Sequence, residues 1–328
     1  MTKTAFVTGG TGFLGRNLIE QLVKQRWSVV AINRSEPPPP HLSHDAITTV
    51  PADVLDAGAM VDAMPEAVDA VFHVAGNTST WSRHNDIQYR VNVEGTRNVV
   101  AAAQRRGARR FIHTSTWNVY GFWQPVISEE SPQMGISSPV NYDRTKAQAE
   151  KEVRAAVDRG LDAVIINPSH IIGRYDPANW SRMVRMVAEN RLPGVPPGAG
   201  SFCHAEQVAL AHIAAVDRGR TGKNYLLGGT DATFLEVVAA IGKITGKKVP
   251  SRPLPAMAVK LVGRWQAMVA AVSGRPPEIS PEGAMLVSAA PHIVSERAQR
   301  ELGYRPVPLE TMLQDCWQWL LSEGLVKL

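Results

Sequence analysis

A chain of 328 residues with 44% hydrophobic and 20% charged residues has the balance of a globular protein and excludes a disordered one. Two cysteines, Cys203 and Cys316, exclude a disulfide framework, and no uncharged apolar run reaches the roughly 18 residues a membrane span needs. The net charge of +5 suits an anionic small ligand, whereas nucleic-acid binding is not expected because the only tight basic cluster is residues 105–110.

The first ten residues, MTKTAFVTGG, run straight into a strand-like segment without a charged lead and apolar core, so a cytoplasmic setting is expected. Short, apolar, β-branched runs predict strands at 4–8, 28–33, 46–50, 70–75, 110–115 and 162–167, with one more at 223–229. Amphipathic segments lie between them, at 14–25 and 92–107 among others. Alternating strands and helices imply a parallel sheet with right-handed crossovers and helices on both faces. EPPPP, residues 36–40, predicts a stiff surface loop. After Pro168 the texture changes, with Pro- and Gly-rich breaks at 191–200, 249–255 and 274–283. The apolar stretch 255–274 is interrupted by Lys260 and Arg264.

VTGGTGFLGRNL, residues 7–18, places Gly9, Gly12 and Gly15 three apart, after a strand and at the start of a helix. That context gives the spacing meaning: one glycine for the tight turn, one for close approach of backbone to a pyrophosphate, one for helix-on-strand packing. The helix N-terminus then presents unpaired N–H groups to phosphate. At the end of the second strand an acidic residue would hold the ribose 2′-hydroxyl of NAD; this chain has Asn33, Arg34 and Ser35. An arginine pairs with a 2′-phosphate that a carboxylate would repel, so NADP(H) is the expected cofactor. NYDRTK, residues 141–146, sets Tyr142 and Lys146 one helical turn apart.

Together these features resemble the extended short-chain dehydrogenase/reductase (NAD-dependent epimerase/dehydratase) family, and within it the dihydroflavonol-reductase-like branch. TGGTGFLG resembles the opening motif, which implies cofactor contacts from Gly9, Gly12, Phe13, Leu14 and Gly15. PADVLD (51–56) implies that Asp53 contacts adenine with Val54 beside it. FHVAG (72–76) implies that the backbone of Ala75 and Gly76 runs along the cofactor, and INPSHIIG (166–173) puts Pro168 near the nicotinamide. VNVEGTRNVV (91–100), FCHAEQVALAHIAA (202–215), RELGYRP (300–306) and CWQW (316–319) match further segments in order. The fold implied is α/β: a Rossmann-type doubly wound parallel sheet in residues 1–172, with returning segments at about 200–229, and a smaller, mostly helical substrate lobe in 173–328. A homodimer is common in that family.

The resemblance makes Tyr142 the proton donor or acceptor, with Lys146 lowering its pKa from about 10 and bonding the nicotinamide ribose. FIHTSTWNVYG (111–121) carries the third member, Thr116, four residues before Tyr120; Ser115 is the second choice, and Tyr120 reads as structural. Dehydration is disfavoured because Trp117 and Asn118 stand where an acid–base pair would be needed. Nucleotide-sugar epimerisation is the alternative, weakened by Arg34 and by Ser201, Phe202 and Glu206 in the sugar-diphosphate neighbourhood. A regulator that senses NADP without turnover is a third reading, against which the complete Thr116–Tyr142–Lys146 set argues. The expected function is therefore reversible NADPH-dependent reduction of a hydrophobic ketone or aldehyde. The apolar region 255–290, with Trp265, is expected to be core or to line the cleft, and Trp81, Trp117, Trp123 and Trp180 follow strand ends or loops where clefts form. The histidines show no metal-ligand spacing, so no metal is expected. His170 reads as structural, and Cys203–His204 lacks an orienting group and is not a nucleophile pair.

Overall fold

Both faces of the first strand are apolar because both are covered: Ala5 and Val7 point into one hydrophobic cluster and Phe6 into another. The same holds along the sheet, and it is why these strands read as continuous apolar runs. The structure, a computed structural model, describes residues 2–35 and 37–327. Glu36 of the predicted proline loop lies outside the described residues; Pro37 onward leads to a short 3-10 turn, Pro40–Leu42.

Strands β1 (Thr4–Thr8), β2 (Ser28–Asn33), β3 (Ile47–Pro51), β4 (Ala70–His73), β5 (Phe111–Thr114), β7 (Ala163–Pro168) and β10 (Asn224–Leu227) form one seven-stranded sheet ordered β10-β7-β5-β4-β1-β2-β3. Every neighbouring pair is parallel. Helices α1 (Phe13–Lys24), α2 (Ala57–Ala63), α3 (Asn85–Tyr89), α4 (Gly95–Arg105), α5 (Asn141–Asp158) and α7 (Ala205–Arg218) flank it. Leu14, Leu18 and Leu22 of α1 and Val208 and Ala215 of α7 cover one face. Val99 and Ala103 of α4 with Val153 and Ala156 of α5 cover the other. The expected doubly wound sheet is present, and its order reverses between β1 and β4, the crevice where ligands bind in such sheets.

The rest of the chain carries β6 (Val126–Ile127), β8 (His170–Ile172), β9 (Ala199–His204), β11 (Thr230–Thr233) and β12 (His292–Ile293), with helices α6 (Trp180–Ala188), α8 (Phe234–Thr245), α9 (Ala256–Ser273), α10 (Pro281–Leu286) and α11 (Leu309–Ser322). The second lobe is mostly helical but includes a small sheet, β11-β9-β8, which sequence reading did not anticipate. Helix α8 opens with a full capping box, Thr233 with Glu236, and closes on Gly246 at φ 69°, as its sequence dictates.

Two expectations are corrected. The segment read as one helix from residue 92 begins at Asn85 and contains a π-turn, Arg90–Glu94. The apolar region 255–290 is not core along its first helix: α9 buries only Val259, Gly263 and Ala270, while Met257, Leu261, Trp265 and Met268 face outward. No helix among the described residues is long and apolar enough to cross a membrane.

Candidate active site

All seven parallel strands end at one edge of the sheet, so the residues that follow them are brought together there. Gly9 follows β1 with φ 73°, and a Cβ on it would lie 2.6 Å from the Ala75 nitrogen. That contact is the close approach of two strand-end loops that only glycine permits. A Cβ on Gly15 would fall 2.0 Å from the Gly9 carbonyl oxygen, so helix α1 sits directly on the loop. Gly12 is the N-cap of α1 and no side chain caps it. The first-turn N–H groups are thus left for an external acceptor, which fits a dinucleotide pyrophosphate. Leu14 packs inward at 8% exposure, while Phe13 beside it is half-buried.

After β2, Asn33 is buried and its Oδ1 accepts from the Ser35 N–H at 3.1 Å. Arg34 is exposed beside it. After β3, Asp53 accepts from Leu55 N–H at 3.0 Å, a local turn that leaves its carboxylate partly exposed. Val54 is 6% exposed and packs against Gly95 of α4, so its side chain serves the core. After β4, the Ala75 N–H donates to Thr8 Oγ1 at 3.2 Å. Asn92, in the π-turn, then holds the loop: its Oδ1 accepts from Asn77 N–H at 2.7 Å, and its Nδ2 donates to the Asn77 carbonyl and to Thr145 Oγ1. Sequence reading missed Asn92. A π-turn inserts one residue into the helical register and so re-aims a side chain without leaving a periodic signal.

Thr116, 6% exposed, caps a short 3-10 turn, Trp117–Tyr120, just beyond β5. Its carbonyl oxygen accepts from Asn167 Nδ2 at 3.0 Å, and that amide also donates to the buried Glu150 at 2.7 Å. The turn is thereby tied to the end of β7, where Pro168 lies buried. Ser115 Oγ is buried without a protein partner. Tyr120 is 1% exposed and packs in the core, its phenol driven up in pKa by burial, so it is structural.

Tyr142 and Lys146 lie on the first turns of α5 as the spacing implied. Lys146 Nζ donates to the Thr114 carbonyl at 2.7 Å. Its pKa falls to about 8 because burial disfavours the ammonium, with Glu150 one turn on opposing the fall. The phenol of Tyr142 faces Thr116, and its pKa is pushed up to about 12. Desolvation dominates, the Thr116 hydrogen bond opposes it, and the charge of Asp143 adds to it. Burial outweighs the Thr116 hydrogen bond at the phenol, and the Lys146 ammonium is directed at the Thr114 carbonyl.

Asp143 was not foreseen. It is fully buried, accepting from Asn118 Nδ2 at 2.8 Å and Ser138 Oγ at 2.7 Å, and burial lifts its pKa to about 6. Asn118 is thus committed to Asp143, and Trp117 packs edge-on to His170 with centroids 5.9 Å apart. Neither offers the acid–base pair that dehydration requires.

His170 stacks among Trp117, Trp180, Phe202 and Phe234, and burial lowers its pKa to about 4, so it is a neutral packing residue. Trp117 and Trp180 belong to this group, whereas Trp81 lies against His84 and Trp123 against Phe122. His204 does have an orienting group, Asp315 Oδ2 at 3.1 Å, contrary to expectation. Cys203 still cannot pair with it: neighbours on a strand face opposite sides, and burial pushes the thiol up to about 12. Among the described residues no set of three or more His, Cys, Asp or Glu side chains is arranged to hold a metal ion. Two surface hollows, of about 550 and 220 Å³, are bordered by Lys3, Arg26 and Asp217 and by Arg16, His41 and Tyr175, and neither touches Thr116, Tyr142 or Lys146.

Residues 5–228 match the NAD dependent epimerase/dehydratase family. The chain is 31% identical to a putative dihydroflavonol 4-reductase of Synechocystis sp., over 100% of this chain and 97% of that protein. It is 27% identical to a 3-beta-hydroxysteroid dehydrogenase of Mycolicibacterium neoaurum, over 94% of this chain and 89% of the relative. The crystal structure of gox2253 superposes with a TM-score of 0.85 at 26% identity, covering 99% of this chain and 100% of the other.

Proposed function

The chain belongs to the NAD dependent epimerase/dehydratase family, and from that premise we propose that it is an NADPH-dependent reductase of a hydrophobic ketone or aldehyde, reversible as an alcohol dehydrogenase. A nicotinamide dinucleotide is the cofactor class of the family, and when bound it supplies the hydride. The observation that carries the reading is the meeting of the Tyr142 phenol with the Thr116 side chain, with Lys146 one turn along α5 and bonded to the Thr114 carbonyl. In this arrangement the phenol is the proton donor to a forming alkoxide. With hydride supplied to the carbonyl carbon, Tyr142 would pass its proton to the carbonyl oxygen, leaving a phenolate that solvent would reprotonate. The Thr116 hydroxyl, beside that phenol, orients the same oxygen. Lys146, one helical turn from Tyr142 and anchored on the Thr114 carbonyl, is the cation this reading assigns to the developing phenolate.

NADP(H) rather than NAD(H) is supported by the end of β2, where Asn33 is turned inward on Ser35 and the exposed group is the Arg34 guanidinium. The relatives' names, a reductase and a steroid dehydrogenase, favour net redox chemistry and an apolar substrate over epimerisation. The test is consumption of NADPH against a panel of apolar aldehydes and ketones. The expected result is stoichiometric NADPH loss with at least one member. Conversion of a nucleotide sugar to its epimer without net NADPH consumption would replace this reading with the epimerase one.

A further inference from the structure

Helix α9 is an apolar helix turned the wrong way for a soluble core. Met257, Leu261, Trp265, Met268 and Val272 recur at helical spacing and form one stripe, with exposures from 57% at Leu261 to 92% at Val272. Val262 and Val269 widen it. The opposite side is fixed to the protein. Val259, Gly263 and Ala270 are buried, Gly263 lies against Ser280 and Ala284, Gln266 Oε1 accepts from Ile279 N–H at 2.8 Å, and Arg83 donates to the Ala271 carbonyl at 2.7 Å. The stripe is therefore presented rigidly rather than left by a fraying element.

Its charge setting is one-sided. Lys260 and Arg264 run along one edge of the stripe, and Arg252 and Arg275 stand at the two ends. No acidic residue occurs between Glu236 and Glu278, a stretch holding seven cations: Lys243, Lys247, Lys248, Arg252, Lys260, Arg264 and Arg275. Glu278 itself is paired with Arg182 at 3.5 Å. A second copy docking antiparallel through this face would set the Lys260–Arg264 edge against its own copy, like charge against like. An apolar strip with a tryptophan and a cationic rim instead complements an anionic lipid surface, the apolar side chains entering the acyl boundary while the cations meet headgroups.

We propose that α9 is an interfacial helix that docks the protein on anionic phospholipid bilayers. It also lies on the catalytic side: Glu282, in the helix against which α9 packs, accepts from the N–H of Asn141, next to Tyr142, at 3.2 Å, and Ser280 bonds Thr80 at 2.9 Å. The docking proposal stands independently of the reaction assigned above.

Flotation of the full chain with phosphatidylglycerol/phosphatidylcholine vesicles, and with phosphatidylcholine alone, tests it. The protein should float with the anionic vesicles and not with the zwitterionic ones. Lys260→Glu and Arg264→Glu should each weaken binding by about fivefold or more. A triple Leu261→Ser, Trp265→Ser, Met268→Ser variant should lose it while keeping the wild-type melting temperature, since none of the three is buried. Absence of flotation, equal flotation with both lipids, or flotation that survives the triple variant overturns the proposal. So does a concentration-dependent dimer in sedimentation that the triple variant abolishes, which would make the face a contact between copies.

Discussion

Helices α1 and α9 carry comparable stripes of apolar residues and use them in opposite ways. The stripe of α1, Leu14, Leu18 and Leu22, is laid against the sheet because short connections from β1 and into β2 leave the helix no other place. The stripe of α9 faces outward, its other side resting on α10, on the residues leading into α10 and on Arg83. Helical periodicity thus reports that a face is apolar, and the partner that covers it is settled by what the chain brings alongside. The same division runs through the molecule. Groups that follow the parallel strands are gathered into one edge and bound to one another, while the α9 segment borders that edge without contributing a reacting group.

The largest effect that would sharpen this contrast is at the gathered edge. Tyr142→Phe should lower kcat for carbonyl reduction by about 10²–10⁴-fold with NADPH affinity retained, whereas Trp265→Ser should leave turnover of a water-soluble carbonyl unchanged. Full activity in Tyr142→Phe would move the proton donor elsewhere. Next, Leu18→Ala should cost about 2–5 kcal/mol in urea unfolding and Leu261→Ala no more than about 0.5 kcal/mol; equal losses would mean that α9 is covered in solution.

A third effect is in pH. The folded state holds Lys146 near 8 against 10.5 when unfolded, so between those values the unfolded chain binds a proton that the native one has released. Stability contributed by this group therefore rises as pH climbs from about 8 to 10.5, and below 8 its burial is a full cost. Wild type should gain stability relative to Lys146→Met over that window, by up to about 3 kcal/mol; a flat difference would place the ammonium in solvent. The smallest effect is at Arg34, where Arg34→Ala should weaken NADPH by about tenfold and NADH little. Equal affinities in both proteins would remove the case for the 2′-phosphate.

The α/β alternation, the glycine loop and the Tyr142–Lys146 pair were legible in the chain because each rests on a local period or spacing. Gly9, Gly12 and Gly15 are read from a turn of a few residues, and the strand limits of β1 and β2 match their apolar runs to the residue. Asn92 gripping Asn77, Asn118 and Ser138 closing on Asp143, and Asn167 tying Thr116 to Glu150 join residues 5 to 51 positions apart, and no local pattern announces them. The outward aim of α9 and the direction in which burial shifts Tyr142 belong to the same class. Local sequence set which segments coil or extend and which residue types stood ready for chemistry. Only the tertiary structure decided which of their faces lost water, because desolvation is a property of the neighbours that folding supplies.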